Sequence, residues 1–238
     1  MKITYIGHSG FLAETEHVLL LFDYYQGEIP ALPGDKTLYV FASHRHRDHF
    51  NPEVFGLTQK HPGRMYVFSS DIWRSRVPEA EKGNLVSLKP RQEWQDDRIR
   101  VMTLKSTDEG VAFLVYADGR TFYHAGDLND WRWEEEPENW NRQMQENYRK
   151  NLEPLRGCRI DAAFVPLDPR QEKDYCLGMD YFLETARVRK IFPMHCWENY
   201  RIIDRWFAEH PDSPYRDSVV KINRRGESFE LDEGRTEA

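Results

Sequence analysis

Residues 43–50 read SHRHRDHF and place three histidines and an aspartate within six positions, interleaved with two arginines. The stretch is either a basic, solvated loop or the ligand loop of a metal site, and so short a loop cannot complete a metal site alone. It follows a run of strand character, LYVFAS (38–43). The other residues able to bind a cation fall in the same kind of place. Asp127 ends RTFYHAGD (120–127), Asp168 ends IDAAFVPLD (160–168) and His195 ends KIFPMH (190–195), while Asp108 sits in the tight connection KSTDEG (105–110). Loops leaving the carboxyl ends of separate strands converge at one edge of a sheet, so ligands of a common centre need not be neighbours in sequence.

In an HxHxDH loop, two histidines two residues apart face one centre, and the Asp–His pair that follows turns toward a second. Zinc takes nitrogen and oxygen ligands at about 2.0–2.2 Å, and a catalytic site keeps one coordination position open for water. Two such ions about 3.5–4 Å apart share a hydroxide and grip both the attacking and the leaving oxygen.

The rest of the chain sets the bounds. Its 238 residues, 39% hydrophobic and 13% aromatic, suffice for one substantial core. No apolar run approaches the ~18 residues of a membrane span. The first residues, MKITYIGHSG, have strand and turn character rather than that of a signal peptide. Cys158, Cys176 and Cys196 form no CxxC pair, and three cysteines cannot all pair within one chain. A reduced, cytoplasmic setting is the expectation. The net charge of −7, with positive residues scattered among acids, disfavours nucleic acid as a partner. A small-molecule substrate is expected, with no membrane partner; the oligomeric state is not fixed, and a homo-oligomer is compatible.

Strands are predicted over 2–7, 10–15, 17–23, 38–43 and 65–70, with a helix starting at Asn51-Pro52-Glu53 and another near Asp71. A second strand group covers 98–106, 110–118 and 120–127, with Asp118-Gly119 marking a hairpin. Trp140, Met144, Tyr148, Leu152 and Leu155 recur at helical spacing, which predicts an amphipathic helix over about 137–155. The nearly continuous apolar run 160–168 reads as a strand covered on both faces. A helix over 179–189, a strand over 190–195, a helix over 199–209 and a closing hairpin within 219–231 follow. Two sheets packed face to face with helices outside satisfy this order, as do other α/β arrangements.

SHRHRDH resembles the HxHxDH signature of the metallo-β-lactamase superfamily, and the order of the motifs extends the likeness along most of the chain: opening strands, His44/His46/Asp48/His49, HAGD with Asp127, then PMH with His195. GHSGF (7–11) and YHAGD (123–127) look closest to small bacterial hydrolases related to ascorbate-phosphate lactonases. The resemblance implies a single domain with an αββα sandwich, a helical insertion near 128–156 and a binuclear site at one edge. By that resemblance the first ion takes His44, His46 and a bridging Asp127, and the second takes Asp48, His49, Asp127 and His195. It implies two divalent ions, Zn²⁺ foremost, and a hydrolase that uses a metal-held hydroxide on an ester, lactone or phosphoester bond, with Asp48 also catalytic.

One departure stands out. Most members supply a further histidine to the first ion from the loop before the GD motif, and LKSTDEGVAF (104–113) has none. Asp108 either substitutes as an oxygen ligand, which suits Mn²⁺ or Fe²⁺ better, or is an ordinary turn residue. His124 and His8 either orient a ligand, line the pocket and protonate the leaving group, or are structural. Trp131 either walls the substrate pocket or anchors the following helix. Arg170 binds an anionic substrate group or pairs with Asp168. A diiron redox protein is a weak rival, because position 46 is His and no flavin domain follows. A nuclease and a metal-poor, non-enzymatic relative are the alternatives to a small-molecule hydrolase.

Overall fold

A computed structural model describes residues 1–232. The first six strands, β1 (Lys2–Gly7), β2 (Gly10–Glu14), β3 (Val18–Phe22), β4 (Thr37–Ala42), β5 (Arg64–Ser69) and β6 (Leu85–Leu88), lie in one sheet. The next six, β7 (Glu93–Gln95), β8 (Ile99–Lys105), β9 (Val111–Ala117), β10 (Arg120–His124), β11 (Arg159–Pro166) and β12 (Arg187–Met194), form a second sheet in the order β12-β11-β10-β9-β8-β7. The short β13 (Ser228–Glu230) returns to the first sheet and pairs antiparallel with β1. Helix α1 (Glu53–Thr58) lies between β4 and β5, α2 (Glu138–Leu152) between β10 and β11, α3 (Leu177–Thr185) between β11 and β12, and α4 (Arg201–Glu209) follows β12.

Side-chain alternation explains the layering. In β3, Leu20 and Phe22 enter the core shared by the two sheets, whereas Leu19 and Leu21 pack on the other side with Val54 and Phe55 of α1. The run VLLLF is therefore apolar throughout because both of its faces are covered. Across the shared core, the Phe11 and Phe164 rings stack at 4.4 Å. On the far face of the second sheet Tyr123 stacks on Phe182 of α3 at 5.0 Å. Helices thus flank two central sheets in an αββα sandwich.

Strand direction puts the functional edge where it is. β3, β4, β5 and β6 are mutually parallel, as are β10, β11 and β12. β1 runs antiparallel to β2, and β2 to β3, so β1 and β3 also point the same way. The segments leaving β1, β3 and β4, and those leaving β10, β11 and β12, emerge at the sandwich edge that carries His8, Asp23, His44, Asp127, Asp168 and His195. α2 is the crossover that parallel neighbours require, joining β10 to β11.

Several expectations are corrected. The closing hairpin does not form: Val219 makes an isolated parallel bridge to Ile191, and 228–230 pairs with β1 instead. The helix predicted over 179–189 ends at Thr185, because β12 begins at Arg187 to pair with β11. β6 and β7 were absent from the sequence reading, and Asp71 is followed only by short 3₁₀ turns at Arg74–Arg76 and Glu79–Asn84. The Asp118-Gly119 hairpin is present, both residues having positive φ, 47° and 68°.

Candidate metal centre

Two groups of side chains meet at this edge. His44, His46, Asp108 and Asp127 form one, and His8, Asp48, His49 and His195 the other; within each, the ligand atoms lie within 4.8 Å of one another. Asp127 joins them. Its Oδ2 lies 3.6 Å from His44 Nε2, while its Oδ1 lies 3.1 Å from His49 Nε2 and 3.5 Å from His195 Nε2.

Hydrogen bonds behind the imidazoles fix which nitrogen faces the centre. Asp23, at the end of β3, accepts from the Ser43 amide (2.7 Å), the Ser43 hydroxyl (2.6 Å) and His49 Nδ1–H (2.7 Å). With its own proton given to Asp23, Ser43 Oγ accepts from His44 Nδ1–H at 3.0 Å. Asp168 accepts from His195 Nδ1–H at 2.7 Å. In His49 and His195 Nδ1 faces a carboxylate and Nε2 is turned to the centre; His44 Nε2 also faces it, 3.0 Å from His46 Nδ1. Asp23 serves two of them, and nothing in the sequence reading singled it out. The available signal was an aspartate closing the apolar run VLLLF.

The inward-facing atoms fit a cation. His8 Nε2, His49 Nε2, His195 Nε2 and Asp127 Oδ1 are buried without a hydrogen-bond partner. Several stand at contact distance yet are not aligned as donor and acceptor, as with His49 Nε2 and Asp127 Oδ1. Buried polar atoms left unpaired are costly, and native folds pair nearly all of them. Nitrogen and carboxylate-oxygen donors of this kind suit Zn²⁺ and harder divalent ions.

Electrostatics follow the same geometry. Burial works to raise the Asp127 carboxyl, but the His49 and His195 rings outweigh it and hold it well below the usual range. Burial lowers His8 to about 4 against the pull of Asp48, whose Oδ2 is 3.3 Å away, so this ring is neutral. Burial, reinforced by His49, lowers His44 to about 3. Burial and the neighbouring Asp127 raise Asp108.

Tight backbone contacts hold the loops together. Gly110, at φ 69°, lies against Ser43 and His44, and a Cβ there would collide with the Ser43 carbonyl and come within 2.6 Å of His44 Cβ. Gly126, at φ 51°, would place a Cβ 2.6 Å from Ser43 Cβ. Asp23, His8 and His195 take positive φ without being glycine, at 41°, 54° and 62°. Such backbone is retained where the surroundings over-determine it, commonly at functional sites.

The structure brings together His44, His46, Asp48, His49, Asp127 and His195, and adds Asp108 to the first group and His8 to the second. Asp108 Oδ2 lies 3.5 Å from His46 Nδ1. Its loop is pinned where Thr107 Oγ1–H donates to Asn129 O at 2.6 Å. His124 takes the structural alternative. It is fully buried, its Nε2–H donates to Ser9 O at 2.9 Å and its Nδ1 accepts from the Gly126 amide at 3.1 Å, so no nitrogen remains for a leaving group. Its role is to tie the GHSG turn to the HAGD turn. Trp131 is buried, donates Nε1–H to Asp127 O at 2.9 Å and meets the His195 ring edge-on at 5.4 Å. Arg170 forms the pair with Asp168, with Nε 3.0 Å and Nη2 2.6 Å from Oδ2. Glu109, which the sequence reading passed over, places Oε2 3.6 Å from His46 Nε2 and takes Arg45 Nη2–H at 2.5 Å.

Among the described residues, no helix is long and apolar enough to cross a membrane. The family model described as "Beta-lactamase superfamily domain" matches residues 2–142. A metal-dependent hydrolase from Desulforamulus reducens is 29% identical over 148 residues, covering 53% of this chain and 62% of that protein, so the match leaves more than a third of the relative's length uncovered. Among solved structures, a metallo hydrolase from Ignicoccus hospitalis superposes with a TM-score of 0.61 at 17% identity, covering 97% of this chain and 99% of the other. A diiron β-hydroxylase from Streptomyces venezuelae gives 0.63 at 11% identity, covering 97% of this chain and 54% of its own. The shared fold thus carries different metal chemistries, but the motif order, the αββα sandwich and the family match agree: this chain belongs to the metallo-β-lactamase superfamily.

Proposed function

We propose that the chain is a metal-dependent hydrolase that cleaves an ester, lactone or phosphoester bond of a small molecule at two divalent cations. His44, His46, Asp108 and one oxygen of Asp127 would hold the first; Asp48, His49, His195 and the other oxygen of Asp127 would hold the second, with His8 beside them. The observation that carries this reading is the convergence of four buried, unpartnered ligand atoms, His8 Nε2, His49 Nε2, His195 Nε2 and Asp127 Oδ1. Zn²⁺ suits the histidine-rich second group, and the first, with two carboxylates, also suits Mn²⁺ or Fe²⁺. Bound there, the cations supply Lewis acidity and lower the pKa of water toward ~7.

The chain's own groups do the rest. Asp48, with 26% of its side chain exposed, would help hold the second cation and is the carboxylate that would take a proton from water there. His8 lies beside that carboxylate, its Nε2 3.3 Å from Asp48 Oδ2. Asp23 and Asp168 hold His49 and His195 in the required tautomer, and Trp131 covers His195 against bulk water.

The test is purified protein assayed with a panel of esters, lactones and phosphodiesters, before and after chelation and reconstitution. Hydrolysis that vanishes on chelation and returns with Zn²⁺ or Mn²⁺ supports the reading. Activity indifferent to chelation, or binding of less than one ion per chain after reconstitution, overturns it.

A further inference from the structure

We infer that the substrate carries an aryl or comparably flat, non-anionic group beside its scissile bond, and that Trp133, Trp140 and Met144, with Trp131 behind them, bind it. The inference rests on the hydrolase reading for the bond that is cut, but not for the group that is bound.

A cavity of about 270 Å³ opens directly on Asp108 and Asp127, and these four side chains wall it. Pockets that enclose a whole drug-sized ligand measure ~300–1,000 Å³, so this one receives a single group of a substrate rather than the whole molecule. Its aromatic wall is built in advance. Trp131 is fixed by its indole hydrogen bond to Asp127 O, and the Trp133 ring lies parallel to it within 5° at 5.9 Å. The Trp133 backbone is clamped on both sides by the buried Asn141, which accepts its amide at 3.0 Å and donates to its carbonyl at 2.8 Å.

Helix α2 shows that the apolar wall is not spare core. Its apolar stripe runs Trp140, Met144, Tyr148, Leu152. Tyr148 and Leu152 enter the core, but Trp140 and Met144 stay half-buried and line the cavity. Half of an amphipathic stripe is therefore turned toward the ligand groups, where apolar surface is disfavoured unless something covers it.

Charge argues against an anionic occupant. The floor holds Asp108 and Asp127, the carboxylates assigned to the cations. The cation at the rim, Arg170, is committed to Asp168 through Nε and Nη2 and lies over the Trp133 and Trp197 rings at 5.7 and 4.6 Å. Among the described residues, no free cation in the cavity wall answers an anionic group.

The experiment uses the full chain loaded with Zn²⁺ and measures binding of phenylphosphonate and methylphosphonate by calorimetry, the two sharing one metal-binding head. The wild type should bind the phenyl compound tighter on the order of tenfold, as one aromatic contact supplies. That ratio should fall to near one in Trp140→Ala and in Trp133→Ala, and persist in Trp140→Phe, with unchanged far-ultraviolet dichroism marking intact folding. Equal binding by the wild type, a preference that survives both alanine variants, or binding of neither compound overturns the inference. A phenyl preference in a protein that cleaves no ester or phosphoester keeps the cleft and removes the hydrolase reading. Hydrolysis without any aryl preference does the reverse.

Discussion

In the group around His49 and His195, each of those imidazoles is braced from behind by a fully buried carboxylate, whereas His46 and Asp108, the outermost ligands of the other group, are partly exposed and His46 leans on Glu109, itself partly exposed. Asp23 and Asp168 each stand 2.7 Å from the ring they hold, with no exposure. His46 and Asp108 have side chains 43% and 42% exposed, 3.5 Å apart. A braced ligand is already in position before the cation arrives. An exposed one gives up rotamer freedom, worth up to ~1.5–2 kcal/mol for a flexible side chain, when the ion binds. The two halves of one site should therefore hold their ions with unequal affinity, the half containing His49 and His195 being the tighter.

The largest break in this comparison comes from the residue the halves share. Asp127→Ala withdraws an oxygen from both, so both ions are lost and hydrolysis falls to background; metal analysis by mass spectrometry and the ester panel read the two effects. Next comes His46→Ala, which removes a ligand from the open half only. It should retain one ion per chain where the wild type retains two, with activity well below wild type. Asp168→Asn is subtler, since it keeps the shape and removes the charge behind His195. It should weaken the tighter ion alone, by ~10–100-fold, in competition with a chelator of known affinity. The smallest effect belongs to Arg45→Ala. The Arg45–Glu109 pair is partly exposed, so its loss should change unfolding free energy by less than ~1 kcal/mol in a urea titration.

The braced and open halves were also unequally legible in the sequence. His44, His46, Asp48, His49, Asp127 and His195 stand in a motif or at the end of a strand, and both features survive in a linear pattern. Asp108 stayed open because Thr-Asp-Glu-Gly is ordinary turn chemistry, and only the hydrogen bond from Thr107 to Asn129 shows which way its loop is held. Asp23 escaped because its role depends on β3 lying beside β4, a pairing that spacing does not reveal. His124 stayed open for a related reason: its partners, Ser9 O and the Gly126 amide, belong to turns from different sheets. The closing hairpin failed because Ser228–Glu230 found an unfilled edge at β1, a long-range choice that local alternation cannot make. The nearly continuous apolar run at 160–168 made a strand covered on both faces readable, but the αββα sandwich came from the motif resemblance, since other α/β arrangements satisfy the same element order.

The proposal of two cations held by unequal halves can be tested by stepwise removal of Zn²⁺ from fully loaded protein with a colorimetric chelator. The account predicts two ions released in two resolved steps differing at least tenfold in affinity, with the weaker step missing in His46→Ala. Release of both ions in a single step of equal affinity, or loss of the tighter step rather than the weaker one in His46→Ala, would contradict it.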